Sequence, residues 1–239
     1  IISALTANSR IAMRYPTILL DLDHTLLDSD ASEKAAFEQT LRAVGVQEPA
    51  AYVDDYRRIN LALWKRVEHG ELRPQDVRNL RFEALIKERN INADAADMAD
   101  RFVHGLGANG NLYDGALLLL QSLSESASLA LVTNGLSEVQ RARIARTGIE
   151  MFFDAIVISG EVGTAKPGTD IFDITFEALG TPDKAGALMV GDSLSSDIQG
   201  GVNYGIDTCW YNPHGKPLDR PELVTHEILT LKDLLKVVL

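Results

Sequence analysis

Five short, mainly apolar runs set the framework of the chain. They cover residues 17–22, 129–133, 155–159, 187–191 and 208–211. Continuous apolar runs of this length predict parallel strands that are buried on both faces. Helix-like segments alternate with the last four runs, and a glycine follows each of them: 138–147, 170–179 and 196–204. This alternation predicts an α/β fold with a doubly wound, Rossmann-like parallel sheet.

More than a hundred residues separate the first run from the second, far more than one crossover helix needs. Helical patterns fill most of this stretch, at 32–45 with Ser32 as its cap, 53–67, 74–89 and 93–106. We interpret 30–108 as an all-helical cap domain inserted after the first strand, and 111–125 as the helix that returns the chain to the sheet. The expected division is an N-terminal extension at 1–15, a catalytic core at 16–29 and 109–239, and the cap at 30–108.

Composition narrows the choice of partners. The 23 Lys and Arg against 34 Asp and Glu give a net charge of −11, which argues against nucleic-acid polymers and anionic membranes. No apolar run reaches the ~18 residues of a membrane span, and the first residues lack the order of a secretion signal. The single cysteine, Cys209, excludes a disulfide framework. We therefore expect a cytoplasmic protein, either a monomer or a homodimer.

Polar residues follow four of the five predicted strands. In open α/β sheets, ligands bind beyond the carboxyl ends of the strands, so these residues should converge on one crevice. In chain order they are Asp21 and Asp23, Thr133 and Asn134, Lys166, and Asp192 with Asp197.

The acidic residues among them predict a metal site. Asp21 and Asp23 lie two apart at a strand end, so both side chains leave on the same side. Carboxylates held this close are costly unless a cation compensates. With Asp192 they form a set of hard oxygen ligands that favours Mg²⁺ over zinc, and the five histidines show no ligand spacing.

Each segment also has a purely structural interpretation. The acidic pair could cap a helix, and Lys166 and Pro167 could begin a loop. Residues 191–193 could form an Asx turn, and Thr133 could cap a helix. The ordered appearance of all four segments at successive strand ends favours a functional site.

Together these segments resemble the four motifs of the haloacid-dehalogenase superfamily, at 21–25, Thr133, Lys166 and 191–197. The resemblance implies that Asp21 attacks phosphorus to form an aspartyl-phosphate. It implies that Asp23 protonates the leaving oxygen and then activates water. Dehalogenases of the superfamily lack this second aspartate, so Asp23 favours phosphoryl transfer.

The resemblance also implies how ligands are held. Mg²⁺ would be bound by the Asp21 carboxylate, the Asp23 main-chain carbonyl and Asp192, with Asp197 in a supporting or water-mediated position. The phosphoryl oxygens would be bound by Thr133, the Asn134 amide and Lys166.

Further matches, at 21–26, 133–135, 159–163, 191–198 and 205–212, resemble the bacterial pyrimidine 5′-nucleotidases of the superfamily, which hydrolyse UMP, dUMP and dTMP. The expected substrate is therefore a pyrimidine nucleoside monophosphate. Phosphatases for phosphoglycolate or a sugar phosphate, phosphomutases and non-catalytic binding proteins remain alternatives. The intact Asp21, Asp23, Lys166 and Asp192 argue against the last of these.

The cap is expected to select the substrate. Asn60, Trp64 and Arg81 are the candidates to contact the nucleoside, through an amide, an indole and a guanidinium group. Trp64 follows the apolar face of its predicted helix, so packing inside the cap is the stronger interpretation for it. Asn60 and Arg81 could instead be solvated.

Overall fold

The computed structural model describes residues 13–218 and 220–239. A six-stranded parallel sheet forms the centre of the catalytic core. Its strands are β1 (Thr17–Leu20), β4 (Ser128–Thr133), β5 (Ala155–Ile158), β6 (Ala187–Gly191), β7 (Asp207–Tyr211) and β8 (His226–Ile228). The five predicted strands are all present. The sixth, β8, was not predicted because it has three residues, of which only Ile228 is buried.

The strand order is β5-β4-β1-β6-β7-β8, so β1 lies between β4 and β6 and is parallel to both. The chain first builds the sheet outward on one side of β1 and then on the other. This reversal makes the carboxyl end of β1 the switch point at which α/β sheets bind ligands. Apolar side chains cover both faces of the sheet, with Ile18 and Leu20 on one and Leu19 on the other.

Helices pack on the sheet as the doubly wound pattern predicts. They are α5 (Ala116–Ser124), α6 (Ser137–Thr147), α7 (Ser159–Val162), α8 (Asp170–Ala178), α9 (Gln199–Tyr204) and α10 (Leu234–Val238). The predicted helix at 196–204 is in fact a π-helical turn, Leu194–Ile198, that runs into α9. Gly148 ends α6 in the left-handed conformation, with φ of 68°.

The return helix predicted at 111–125 is only partly helical. Residues Asn111–Leu112 form β3, which pairs antiparallel with β2 (Leu27–Asp28), and α5 begins at Ala116. The Tyr113 N–H donates to the Leu26 carbonyl at 2.9 Å, which holds the returning chain beside the departing one. Two-residue strands carry no periodic signal, so this small sheet was missed.

Four helices form the cap between β2 and β3: α1 (Ser29–Ala43), α2 (Val53–Glu68), α3 (Val77–Arg89) and α4 (Ala95–Ala108). They enclose an apolar core of their own, in which four aromatic rings lie with centroids 4.4–6.2 Å apart: Phe37, Tyr56, Phe82 and Phe102. Ser32 does not cap α1, because the helix begins at Ser29 and the Ser32 hydroxyl donates to the Ser29 carbonyl at 2.9 Å.

Of the predicted N-terminal extension at 1–15, only residues 13–15 belong to the part of the chain that the structure describes. Tyr15 is buried, and its hydroxyl donates to Asp207 Oδ2 at 2.6 Å.

Cys209 is buried in β7, and burial raises the pKa of its thiol to about 12. Among the described residues no helix is both long enough and apolar enough to span a membrane.

Gly105 tests the contact between α1 and α4. A Cβ there would lie 2.9 Å from Ala36 Cβ and 3.2 Å from its Cα, so backbone would have to move. Overpacking costs about 1–3 kcal/mol, whereas replacing a helical glycine by alanine gains up to about 1 kcal/mol. We expect Gly105→Ala to lower the free energy of unfolding by about 1–2 kcal/mol in urea titrations.

Gly107→Ala is the matched control, since its Cβ would meet only the Ala142 side chain, at 3.0 Å. We expect Gly107→Ala to lower the free energy of unfolding by less than Gly105→Ala does. Equal stability of the two variants would show that the backbone contact at Gly105 is not limiting.

Candidate active site

Lys166 forms the centre of a buried ion cluster at the carboxyl end of β1. Its ammonium group lies 2.7 Å from Asp21 Oδ1, 2.6 Å from Asp197 Oδ1 and 2.6 Å from the Val132 carbonyl oxygen. The Lys166 side chain is 1 % exposed, so its charge is balanced almost entirely by these partners.

Three carboxylates crowd around this one ammonium group. Asp21, Asp192 and Asp197 each place an oxygen within 4.8 Å of the others. Burial raises the pKa of Asp21 well above its ordinary value, and Asp197 and Asp192 add to the rise while Lys166 opposes it. Burial, followed by the charge of Asp197, raises the pKa of Asp192 to about 6. A further positive charge would therefore stabilise the ionised carboxylates of the cluster, and their hard oxygen donors fit Mg²⁺.

Asp23 has separate partners, all of them neutral or positive. Arg143 Nη1 lies 2.6 Å from Asp23 Oδ1, Gln140 Nε2 lies 2.7 Å from Oδ2, and the Ser29 hydroxyl donates to Oδ1. Burial opposes ionisation of Asp23, but Arg143 and these hydrogen bonds hold its pKa below the ordinary value. In this arrangement Asp23 is a carboxylate with both oxygens fixed.

Sequence reasoning missed Gln140 and Arg143, which lie on α6. Both are nearly inaccessible, with 1 % and 4 % exposure. The available signal was two long polar side chains spaced three apart, on a helical face that also carries Val139 and Ile144. Long polar groups on the buried face of a helix need partners, and here the partners include Asp23.

The residues after β4 organise the same edge. Thr133 accepts a hydrogen bond from Gln140 Nε2 at 2.8 Å. The Asn134 side chain accepts from the Lys166 N–H at 3.0 Å and donates to the Lys166 carbonyl at 2.8 Å. This pair of bonds fixes the loop that carries Lys166. The Asn134 side chain is thereby used in holding the loop.

A cavity of about 410 Å³ lies between this edge and the cap, within the roughly 300–1,000 Å³ range of small-molecule sites. Eight of the ten predicted site residues line it: Asp21, Asp23, Asn134, Asp192, Asp197, Asn60, Trp64 and Arg81. Thr133 and Lys166 are fully buried and lie behind this wall.

Along α2, one stripe of residues faces the cavity. Its members repeat at helical spacing: Arg57, Asn60, Leu61, Trp64 and Glu68. Leu61, which sequence reasoning missed, is 58 % exposed. Trp64 is half-buried, lines the cavity and also packs against the cap core. No signal in the sequence pointed to Leu61, because single exposed apolar residues are common on the surfaces of helices.

Arg81 and Asn60 are not simply solvated. Arg81 is 3 % exposed, its Nη1 donates to the Tyr56 hydroxyl at 3.2 Å, and its guanidinium carbon lies 5.2 Å from the Phe102 ring centroid. Tyr56 donates to Glu33 Oε1 at 2.8 Å, and Asn60 Nδ2 donates to the same oxygen at 3.0 Å. The cap wall is thus a connected polar network.

Lys166→Met tests the charge balance of the buried cluster. Removing the ammonium group leaves buried carboxylates without their partner, which costs about 3–5 kcal/mol in typical buried pairs. We expect a loss of that order in urea titrations at pH 7 with a metal chelator. Acids whose pKa is raised by folding stabilise the fold below their unfolded pKa and lose that effect as pH rises through the folded value. The loss should therefore be smaller at pH 5 than at pH 7.

Lys236→Met is the control, because the Lys236 side chain is 74 % exposed and pairs only with Asp233. Comparable losses in the two variants would argue that the Lys166 cluster does not depend on its cation.

Comparison with known proteins agrees with this architecture. The haloacid dehalogenase-like hydrolase family model matches residues 18–211. The pyrimidine 5′-nucleotidase PynA of Streptococcus pneumoniae is 39 % identical over 224 residues, covering 93 % of this chain and 94 % of its own. The pyrimidine 5′-nucleotidase YjjG of Escherichia coli is 34 % identical over 210 residues, covering 88 % and 91 %.

A solved structure is similarly close. The magnesium-bound crystal structure of the HAD-hydrolase YfnB from Bacillus subtilis superimposes with a TM-score of 0.87 at 35 % identity. The match covers 94 % of this chain and 98 % of YfnB. The chain belongs to the haloacid dehalogenase-like hydrolase family.

Proposed function

We propose that the protein is a Mg²⁺-dependent phosphomonoesterase that hydrolyses pyrimidine nucleoside monophosphates through an aspartyl-phosphate at Asp21. The observation that carries this proposal is the pairing of two carboxylates with different surroundings in one cavity. Asp21 lies against Lys166 in the acidic cluster, whereas Asp23 is held by Arg143 and Gln140. A cation bound beside Lys166 would offset the burial that raises the pKa of Asp21 and would leave that carboxylate ionised for attack. Asp23 lies apart from the acidic cluster, so it is free to exchange a proton with the leaving group.

In the first step, an Asp21 carboxylate oxygen attacks phosphorus and the bond to the leaving oxygen breaks. Asp23, a carboxylate in the resting arrangement, must first take up a proton from solvent. It gives that proton to the leaving oxygen, which departs as an alcohol. In the second step, water attacks the phosphorus of the aspartyl-phosphate and gives a proton to the Asp23 carboxylate. The Asp21–phosphorus bond then breaks, which restores the Asp21 carboxylate and leaves Asp23 protonated for the next turnover. The covalent intermediate divides one difficult displacement into two easier ones.

Mg²⁺ would be held by the Asp21 carboxylate, the Asp23 main-chain carbonyl and Asp192, with Asp197 supporting through water or through Lys166. When bound there, the ion supplies positive charge that offsets the carboxylates and the phosphoryl oxygens. The raised pKa values of Asp21 and Asp192 support this assignment, since burial and the neighbouring carboxylates both disfavour negative charge there and a cation would offset them.

The phosphoryl group would be bound by Thr133, the Asn134 main-chain amide and Lys166. Lys166 already touches the attacking carboxylate, so its charge acts next to the reacting centre. Most of the rate enhancement in phosphoryl transfer comes from such positioning and electrostatic stabilisation.

The nucleoside would lie against the cap. The half-buried Trp64 indole and the exposed Leu61 offer an apolar surface to a planar base, and Asn60 and Arg81 offer hydrogen bonds at its edge. The identity of the chain to PynA and YjjG over most of their lengths supports the choice of a pyrimidine nucleotide.

A phosphatase for another small metabolite is the second candidate. The N-acylneuraminate-9-phosphatase of Mus musculus is 30 % identical and covers 93 % of this chain, so the same scaffold serves a sugar phosphate. Hydrolysis of phosphoglycolate, phosphomutation and binding without turnover rank below it.

We also propose that the catalytic core comprises residues 16–29 and 109–239 and that the cap comprises residues 30–108. The protein would act in the cytoplasm as a monomer or a homodimer.

A phosphate-release screen tests the substrate. With Mg²⁺ present, UMP, dUMP and dTMP should give kcat/KM values at least about tenfold above those of sugar phosphates and phosphoglycolate, a margin of about 1.4 kcal/mol in transition-state binding. EDTA should abolish release and added Mg²⁺ should restore it. If sugar phosphates are hydrolysed as well as the nucleotides, the pyrimidine assignment fails while the phosphatase assignment stands.

Asp21→Asn tests the nucleophile. We expect turnover to fall by at least about 10⁴-fold, because the covalent route is lost. Thermal stability should be largely retained, since Asp197 still pairs with Lys166 and burial already disfavours the charged form of Asp21. Asp114→Asn, at an exposed position outside the cavity, should keep full activity. Retained phosphate release by Asp21→Asn would remove Asp21 from the mechanism.

A further inference from the structure

Arg143 connects three parts of the molecule through one guanidinium group. Its Nη1 lies 2.6 Å from Asp23 Oδ1, its Nη2 donates to Ser32 Oγ at 3.3 Å, and its Nε donates to the Leu106 carbonyl at 3.3 Å. The Arg143 side chain is 5 % exposed. A buried side chain from the core helix α6 therefore reaches both the cap and the proposed acid–base residue.

The two contacts of Arg143 with the cap lie where the chain enters the cap and where it leaves it. Ser32 lies in the first turn of α1, where the chain enters the cap, and Leu106 lies in the last turn of α4, where it leaves. A guanidinium group presents its N–H donors in a rigid plane, so it cannot follow two partners that move relative to a third. Movement of the cap over α6 must therefore break some of the Arg143 contacts or turn the group.

The remaining contacts of Asp23 fix its carboxyl plane. Gln140 Nε2 donates to Oδ2 at 2.7 Å and to Thr133 Oγ1 at 2.8 Å. Two acceptors thus determine the orientation of the Gln140 amide, and its Oε1 is buried without a hydrogen-bond partner among the described residues. Ser29, the first residue of α1, donates to Oδ1. An unpaired buried oxygen is a cost, and here it accompanies the bonds that hold Asp23.

We infer that Arg143 is a positioning residue that couples the seating of the cap to the orientation of the Asp23 carboxyl group. With the cap seated, Arg143 and Gln140 hold Asp23 in one orientation at the cavity. With the cap displaced, Arg143 loses Ser32 and Leu106. Asp23 then loses Ser29, so of these contacts only Gln140 still fixes the direction of Asp23. Proton transfer is then confined to the state in which the cap covers the substrate. This inference rests on the proposed function, because it needs Asp23 to donate a proton.

The leaving group separates positioning from a merely structural role. Cleaving an alkyl phosphate such as UMP releases an alkoxide oxygen, which must receive the Asp23 proton as the bond to phosphorus breaks. Cleaving p-nitrophenyl phosphate releases a stable phenolate that departs without a proton. Both reactions otherwise use the same attack by Asp21. Loss of Asp23 positioning should therefore slow the first reaction selectively.

The experiment measures the first chemical step for both esters in single turnovers with saturating Mg²⁺. UMP is used, or the most active alkyl phosphate of the screen. For Arg143→Ala we expect the UMP rate to fall about 10²-fold or more and the p-nitrophenyl phosphate rate to fall less than about threefold. Arg143→Lys, which keeps the buried charge, should lie between this variant and the wild type. Added guanidinium at millimolar concentration should restore part of the UMP rate of Arg143→Ala.

Arg146→Ala is the matched control, since Arg146 lies on the same helix but is exposed and outside the cavity. It should leave both rates unchanged. Ser32→Ala removes a cap partner of Arg143 and should lower the UMP rate selectively, by a smaller factor.

Two outcomes would overturn the inference. If Arg143→Ala and Arg143→Lys slow both esters equally, or neither, Arg143 does not position Asp23. If Ser32→Ala leaves the UMP rate unchanged, the coupling to the cap is wrong. Failure of the proposed function looks different: Asp21→Asn would then retain the first step with p-nitrophenyl phosphate, or the wild type would cleave neither ester.

Discussion

The buried contact of the Lys166 ammonium group with Asp21 and Asp197 is the interaction on which the site depends. Without that charge, the carboxylates at the end of β1 could not be buried together in their ionised forms. The position of Lys166 depends in turn on the Asn134 side chain, which holds the main chain of Lys166 at both its N–H and its carbonyl. A residue after β4 thus fixes a residue after β5 beside a residue after β1. The parallel sheet supplies the common edge that makes this possible.

The acidic cluster explains how an acidic protein can accept an anionic substrate. The pKa values of Asp21 and Asp192 rise because both carboxyl groups are buried and lie beside further carboxylates, which Lys166 only partly offsets. A divalent cation would offset these carboxylates, and the combined site could then favour phosphate locally. The net charge of −11 would therefore not prevent an anion from binding in this cavity.

Much of this arrangement could be predicted from the sequence, because strand ends in a parallel sheet converge whatever the intervening chain does. Asp21, Asn134 and Asp192 meet for that reason. Gln140 and Arg143 could not be found in the same way, since their roles depend on which strand end their helix packs against. The burial of Arg81 also escaped prediction, because its partners Tyr56 and Phe102 come from other helices of the cap. Pairs of two-residue strands, such as β2 and β3, leave no pattern to read.

Helix α2 has one further consequence. Its Tyr56, Ile59 and Leu63 face is buried in the cap core, while the neighbouring face, with Arg57 and Leu61, lines the cavity. Substitutions on the cavity face change what the substrate meets but remove few contacts from the core. The substrate range of such an enzyme can therefore change in small steps with little loss of stability. This division of one helix would allow related phosphatases to act on different metabolites.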